Sequence, residues 1–199
     1  MADANLIFAT NCTEMRINMA KVAIFLAAGF EEIEALTVVD LLRRVKVETD
    51  MVSVSDEKKA VGAHNIVVDT DKIISEINFD EYDMLVLPGG MPGTLNLEAT
   101  DLLMKQVDAF YEQGKYVAAI CAAPSILGHR KMLQGRTACC YPGFEKDLEG
   151  ANMSYDPVCV DGKVITSRGM GCAIPFGLKL VELLVSAEVS KDLSDKIIY

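Results

Sequence analysis

Cys121 ends an apolar run, Tyr116-Val117-Ala118-Ala119-Ile120, and begins a small-residue stretch, Ala122-Ala123-Pro124-Ser125. The run reads as a buried strand, and Pro124 suits the first turn of a helix because its missing N–H is not needed there. Cys121 is therefore placed on a strand-to-helix turn of the nucleophile-elbow kind, with the side chain thrust out at the carboxyl end of a parallel strand and alanines where the turn admits no bulk. A thiol in that position can attack a carbonyl carbon, and the helix N-terminus beside it favours thiolate. The competing reading is an inert core cysteine, since free cysteine is among the most buried residue types.

A nucleophilic cysteine needs a base or an acid partner. His129 lies two turns along the elbow helix and points away from its tip, while His64 falls in the second-strand region, where no local pattern brings it to the thiol. The next residue is Ala122, so a Cys–His hydrolase is poorly supported. A carboxylate fits better. Glu34 begins the row Glu34, Val38, Leu41, Val45, and Glu31 begins a similar row with Ala35 and Val38, so periodicity does not choose between them. A half-buried glutamic acid has a raised pKa and can stay protonated to hydrogen-bond a thiolate. All three glutamates, Glu32 included, also suit a helix N-terminus as plain dipole partners.

A second chemical element is the loop Pro88-Gly89-Gly90-Met91-Pro92-Gly93, which follows the apolar run Met84–Leu87. The backbone N–H groups of Gly89 and Gly90 can face a reacting carbonyl oxygen. Dinucleotide spacing is absent and no phosphate-loop lysine follows, which leaves a plain tight turn as the competing reading.

These residues must be positioned by alternating strands and helices, a pattern that calls for a parallel sheet. Strands are predicted over Lys21–Ala27, Thr49–Val54, Met84–Leu87, Tyr116–Ile120 and Thr137–Tyr141, and helices over Glu31–Val45, Asn96–Gln113, Pro124–Leu133, Cys172–Ser186 and Val189–Ile198. Brief helices are predicted over Asp71–Ile77 and from Pro142 through Leu148. Ala60–Val68 reads as extended chain broken at Gly62, and Tyr155–Val160 with Lys163–Thr166 as a hairpin turning at Asp161-Gly162.

A chain of 199 residues suits one domain with a full core, and its net charge of −10 argues against nucleic acid and anionic membrane surfaces as partners. No run is long enough to span a bilayer. The six cysteines lie at irregular spacings without a zinc pattern, so no metal is expected and reduced thiols in a cytoplasmic protein are. Adjacent Cys139 and Cys140 make a strained bridge and read as core or interface residues. Residues 1–18 lack targeting features and read as a tail or an alternative start, with a single domain over 19–199.

Four segments in order, Gly29-Phe30-Glu31-Glu32-Ile33-Glu34, Leu87-Pro88-Gly89-Gly90, Ala118-Ala119-Ile120-Cys121-Ala122-Ala123-Pro124 and Thr166-Ser167-Arg168-Gly169, resemble the ThiJ/PfpI superfamily in its parkinsonism-associated deglycase (DJ-one) branch. The resemblance runs from about Met19 to the C-terminal helix. It implies an α/β, flavodoxin-like fold of the class I glutamine amidotransferase type, a mostly parallel sheet sandwiched between helices, and a homodimer. It also implies an oxidation-prone nucleophile at Cys121, with Glu34 hydrogen-bonded to it and Gly90 and Ala122 offering N–H groups to a substrate oxygen. Arg44 and Arg168 are implied to lie near the site entrance or dimer interface; surface charge pairing is their competing reading.

The expected activity is a glyoxalase or deglycase acting without a cofactor on methylglyoxal-like 2-oxoaldehydes or their early adducts. The alternative is a redox-sensing or chaperone-like stress protein that uses oxidation of Cys121 without turnover. Tyr141 stands where many members of the branch have a histidine, which puts histidine-assisted proton transfer in question. Ala122 stands where the protease-like branch has one, which disfavours peptidase or amidotransferase-like hydrolysis.

Overall fold

The computed structural model describes residues 20–199, so the tail reading for residues 1–18 lies outside the described residues. The first apolar run forms β1 (Lys21–Leu26), and a turn leads into α1 (Glu32–Arg44). Glu32 and Glu34 in its first turn and Arg43 and Arg44 in its last match both ends of the helix dipole. Then come β2 (Glu48–Ser53), the hairpin β3 (Lys59–Val61) and β4 (Val67–Asp69), and β5 (Lys72–Ile73). The helix predicted over 71–77 is thus a short edge strand followed by a 3-10 turn at Ile74–Glu76, because Asp71 and Lys72 are drawn alongside β2.

Next are β6 (Met84–Leu87), α2 (Gly93–Glu98), α3 (Asp101–Glu112), β7 (Tyr116–Ile120) and α4 (Pro124–His129). The single helix predicted over 96–113 is two, broken by extended backbone at Thr100. The elbow helix stops at His129, because Lys131 takes a left-handed φ of +60° that an α-helix does not admit. The chain ends with β8 (Thr137–Ala138), β9 (Asn152–Met153), β10 (Val158–Asp161), β11 (Val164–Ser167), α5 (Ala173–Leu184) and α6 (Ala187–Lys196). The strand predicted to reach Tyr141 ends at Ala138, since the Cys139 N–H turns to the Thr166 hydroxyl and the Tyr141 N–H to the carbonyl of Cys121.

The main sheet has the order β10-β11-β7-β6-β1-β2-β5, parallel throughout except for the β10–β11 pair. Its five principal parallel strands therefore lie in the order second, first, third, fourth, fifth along the chain, the flavodoxin-like arrangement. The direction of strand addition reverses between β1 and β6, and crevices at such reversals open outside the carboxyl ends of the strands. The loops after β1, β6 and β7 meet there.

Alternation along the buried strands divides the core between the two faces of the sheet. Val22, Ile24 and Leu26 of β1 pack with α1, α5 and α6, whereas Ala23 and Phe25 pack with the helices α2, α3 and α4. Among the described residues no helix is long and apolar enough to cross a membrane.

Candidate active site

Cys121 follows β7 directly and takes a φ of +66°, in the left-handed region that non-glycine residues rarely enter. Such backbone costs about 1–3 kcal/mol and persists only where its surroundings enforce it. Here the enforcement is visible. The Cys121 N–H donates to the carbonyl of Ser167 at 3.0 Å, and the Cys121 carbonyl accepts from the N–H of Tyr141 at 2.8 Å. The elbow therefore holds the thiol at the carboxyl edge of the sheet, as the sequence predicts.

Glu34 reaches this thiol from the first turn of α1. The residue is 1% exposed, and its Oε2 accepts the N–H of Gly89 at 2.9 Å. Oε1 is buried without a hydrogen-bond partner of regular geometry, and Cys121 is the polar neighbour that acts most strongly on the carboxyl. Burial pushes Glu34 up to about 7, against the opposing hydrogen bonds from Cys121 and Gly89. Burial also pushes the Cys121 thiol up to about 12, reinforced by the charge and hydrogen bond of Glu34.

The backbone N–H groups of Ala122 and Gly90 pull the thiol the other way and are outweighed. The sequence expectation that the helix N-terminus favours thiolate is thus corrected, because burial and a neighbouring carboxylate exceed the effect of a six-residue helix. Burial and the mutual charge of the pair together disfavour ionising both groups at once.

Both glycines of the loop after β6 are needed at close quarters. A Cβ on Gly89 would stand 2.6 Å from Cβ of Cys121 and 2.7 Å from Oε2 of Glu34. The N–H of Gly89 is committed to Glu34 and therefore does not serve as the substrate-oxygen donor suggested by the loop sequence. Those of Gly90 and Ala122 are the backbone groups that favour the ionised sulfur.

The pair opens into a cavity of about 350 Å³. Its lining combines Glu31, Glu34 and His64 with the larger, mostly apolar side chains of Met91, Tyr141, Phe144 and Met170. The profile of the DJ-1/PfpI family matches residues 20–183.

This chain belongs to the DJ-1/PfpI family.

Among relatives, it is 34% identical to protein DJ-1 homolog B of Arabidopsis thaliana over 92% of this chain and 42% of that one. It is also 34% identical to a protein named a deglycase from Pyrococcus abyssi, over 82% of this chain and 99% of that one. The chain spans less than half the length of the Arabidopsis relatives, 42% of homolog B and 45% of homolog A. Among solved structures, oxidized DJ-1 of Toxoplasma gondii superposes with a TM-score of 0.87 at 36% identity, covering 90% of this chain and 98% of that one. DJ-1beta of Drosophila melanogaster superposes with a TM-score of 0.85 at 29% identity, covering 90% and 98%.

Within this DJ-1/PfpI scaffold the two arginines stand away from the thiol. Arg44 pairs with Asp40 at 2.6 Å and faces a separate groove beside Leu36, Ile174 and Ile197. Arg168 lies over the ring of Tyr155 and donates to its carbonyl at 3.2 Å. Neither lines the Cys121 cavity. Tyr141 does; it is half exposed, and a Cβ on Gly169 would lie 3.1 Å from its ring. His129 pairs with Glu98 at 2.7 Å on the outside of the elbow helix, as the helix phase predicts.

His64 is the residue that local patterns do not find. It is carried to the cavity by the β3–β4 hairpin, which is laced to the loop after β1 by Gly29 N–H to the Val61 carbonyl at 2.7 Å and Ala63 N–H to the Phe30 carbonyl at 2.8 Å. Glu32 receives both the backbone N–H and Nδ1 of His64, each at 2.8 Å. Glu31, Glu32 and His64 bring ligand-type atoms within 4.8 Å of one another, but both Glu32 oxygens are already occupied by His64, which makes the group an ion pair rather than a metal site. The one sequence signal is Gly62, where any Cβ would strike the Glu32 carboxyl.

Proposed function

We propose that this chain is a cysteine-dependent glyoxalase or deglycase acting in the cytoplasm, as a homodimer, on methylglyoxal-like 2-oxoaldehydes or their early adducts. The observation that carries the proposal is the Glu34–Cys121 pair, a buried carboxyl with its pKa raised to about 7 set against a thiol at the edge of a cavity, with the backbone N–H groups of Gly90 and Ala122 acting on the sulfur. The relative named a deglycase adds support.

The chemistry follows from the pair. Sulfur attacks the aldehyde carbon, and the thiol proton passes by way of Glu34 to the aldehyde oxygen, giving a hemithioacetal. A carboxylate with a pKa near 7 is matched to proton transfer at neutral pH. Glu34 then takes the proton from the former aldehyde carbon and returns it to the neighbouring carbon, while the hydroxyl proton of the hemithioacetal passes to the former ketone oxygen, leaving a thioester with a neighbouring hydroxyl. Water cleaves the thioester to a 2-hydroxy acid and restores the thiol. Backbone N–H groups of Gly90 and Ala122 steady the developing oxyanion, a contribution of about 3 kcal/mol for one well-placed donor.

The test is lactate formation from methylglyoxal, without glutathione, by the wild type, Cys121→Ser and Glu34→Gln. Turnover in the wild type and its loss in both variants is the expected result. Undiminished turnover in Cys121→Ser would end the proposal.

A second reading, oxidation of Cys121 as the working event, draws on the Toxoplasma neighbour, whose structure is of the oxidized protein. The same N–H groups that suit an oxyanion also suit sulfinate oxygens.

A further inference from the structure

We propose that His64 is a catalytic acid of the Cys121 cavity, hydrogen-bonding the second oxygen of a bound 2-oxoaldehyde, and that Glu32 is the positioning residue that holds it there. The proposal deepens the glyoxalase-type function above and rests on it.

The first observation is the cost of Glu32. Its side chain is 5% exposed, and a buried carboxylate is expensive unless hydrogen bonds compensate it. Its two side-chain hydrogen bonds of regular geometry come from His64, one from its backbone and one from its ring. A buried acid devoted to one histidine is the arrangement that fixes ring orientation and tautomer in catalytic sites. With Nδ1–H turned to Glu32, Nε2 has no protein partner among the described residues, and the residue lines the same cavity as Cys121.

The second observation is what the cavity otherwise lacks. The titratable groups around the imidazole are Glu31, which caps α1, and Glu32 of α1, with Glu34, Cys121 and Tyr141 on the same cavity. Glu34 is engaged with sulfur and with carbon-bound protons, and the two arginines lie elsewhere. Among the described residues that line the cavity, His64 is the one that can bring positive charge to the ketone oxygen. Its Nδ1 also lies 3.9 Å from the Glu31 carboxylate, and the hydrogen bond to Glu32 followed by these two charges raises its pKa, so the imidazolium persists toward neutral pH.

The proton count closes. When Glu34 removes the proton from the carbon bonded to sulfur, that electron pair forms a carbon–carbon double bond, the ketone π pair moves to its oxygen, and Nε2–H of His64 protonates that oxygen. An enediol results. As Glu34 returns its proton to the former ketone carbon, the hydroxyl next to sulfur gives its proton to the neutral imidazole, and the carbonyl of the thioester forms. His64 ends as it began.

The test does not require turnover. Iodoacetamide alkylation of Cys121 is timed in the presence of methylglyoxal or of propanal, which has the same carbon chain but lacks the second oxygen. In His64→Gln, whose side-chain amide can still donate to the buried Glu32 carboxylate, protection by methylglyoxal is expected to weaken about tenfold or more, the worth of a hydrogen bond from a charged donor. Protection by propanal and the unprotected alkylation rate should stay within twofold of the wild type. In Glu32→Gln the pH at which methylglyoxal protection is lost should move downward, because the imidazole loses the partner that raises it. Equal weakening with both aldehydes, or none with either, would overturn the assignment. Selective weakening without lactate production would leave His64 in place and remove the turnover proposal instead.

Discussion

Gly89 donates its backbone N–H to Oε2 of Glu34 over 2.9 Å, and so ties the loop after β6 to the first turn of α1 beside the thiol. A methyl group on Gly89 would lie 2.6 Å from Cβ of Cys121 and 2.7 Å from that same oxygen. Gly89→Ala must therefore push the two members of the pair apart. Overpacking of this kind costs about 1–3 kcal/mol, and the expected outcome is a lower midpoint in denaturant together with loss of activity. A folded, fully active Gly89→Ala protein would contradict the geometry.

Glu34 also makes stability depend on pH. Its folded pKa of about 7 lies above the ordinary 4.5, so the folded chain keeps a proton that the unfolded chain releases. The contribution is fully present below pH 4.5 and is lost as pH rises through 7, on the order of 3 kcal/mol in all. Denaturant unfolding of wild type and Glu34→Gln at pH 5 and pH 8 measures it. The difference between the two proteins should shift in favour of the variant at the higher pH; a constant difference would show that Glu34 is ionised throughout.

The thiol should respond to the same substitution. After burial, the charge and hydrogen bond of Glu34 are the next causes that lift Cys121 to about 12. In Glu34→Gln the thiol should titrate at lower pH than in the wild type, followed by ultraviolet thiolate absorbance with Cys121→Ser as the blank. A thiol that titrates higher in the variant would reverse the sign assigned to the carboxylate.

Mild peroxide separates the roles of the cysteines. Cys139, Cys140 and Cys159 are buried, whereas Cys121 and Cys172 are partly accessible and none of the five is in a disulfide. Intact mass and peptide mapping should find two added oxygens confined to Cys121, because the N–H groups of Gly90 and Ala122 beside its sulfur favour the sulfinate anion and offset the raised pKa of the thiol. Equal oxidation of Cys172 would show that exposure, not the site, controls the chemistry.

The apolar runs that become β1, β6 and β7, the Asp161-Gly162 hairpin and the elbow at Cys121 are legible in the chain itself, because each depends on side-chain period or local turn chemistry. The short pieces are not. Lys72–Ile73 becomes a strand only by lying along β2, and the break at Thr100 falls at extended backbone that no glycine or proline announces.

The same division runs through the site. Sequence places three glutamates at one helix start and gives Glu31 and Glu34 similar claims on the thiol, since their rows share Val38. The rotation of α1 on the sheet, fixed by the packing of Ala35, Val38 and Leu41, sends Glu34 to Cys121 and Gly89, Glu32 to His64, and Glu31 to the cavity wall. It also decides the proton affinities, which follow burial and through-space charge rather than neighbours in the chain. His64 lies 57 residues from Cys121 by the numbering and reaches the same cavity only because the β3–β4 hairpin folds back over the loop after β1, a long-range contact without a local signature.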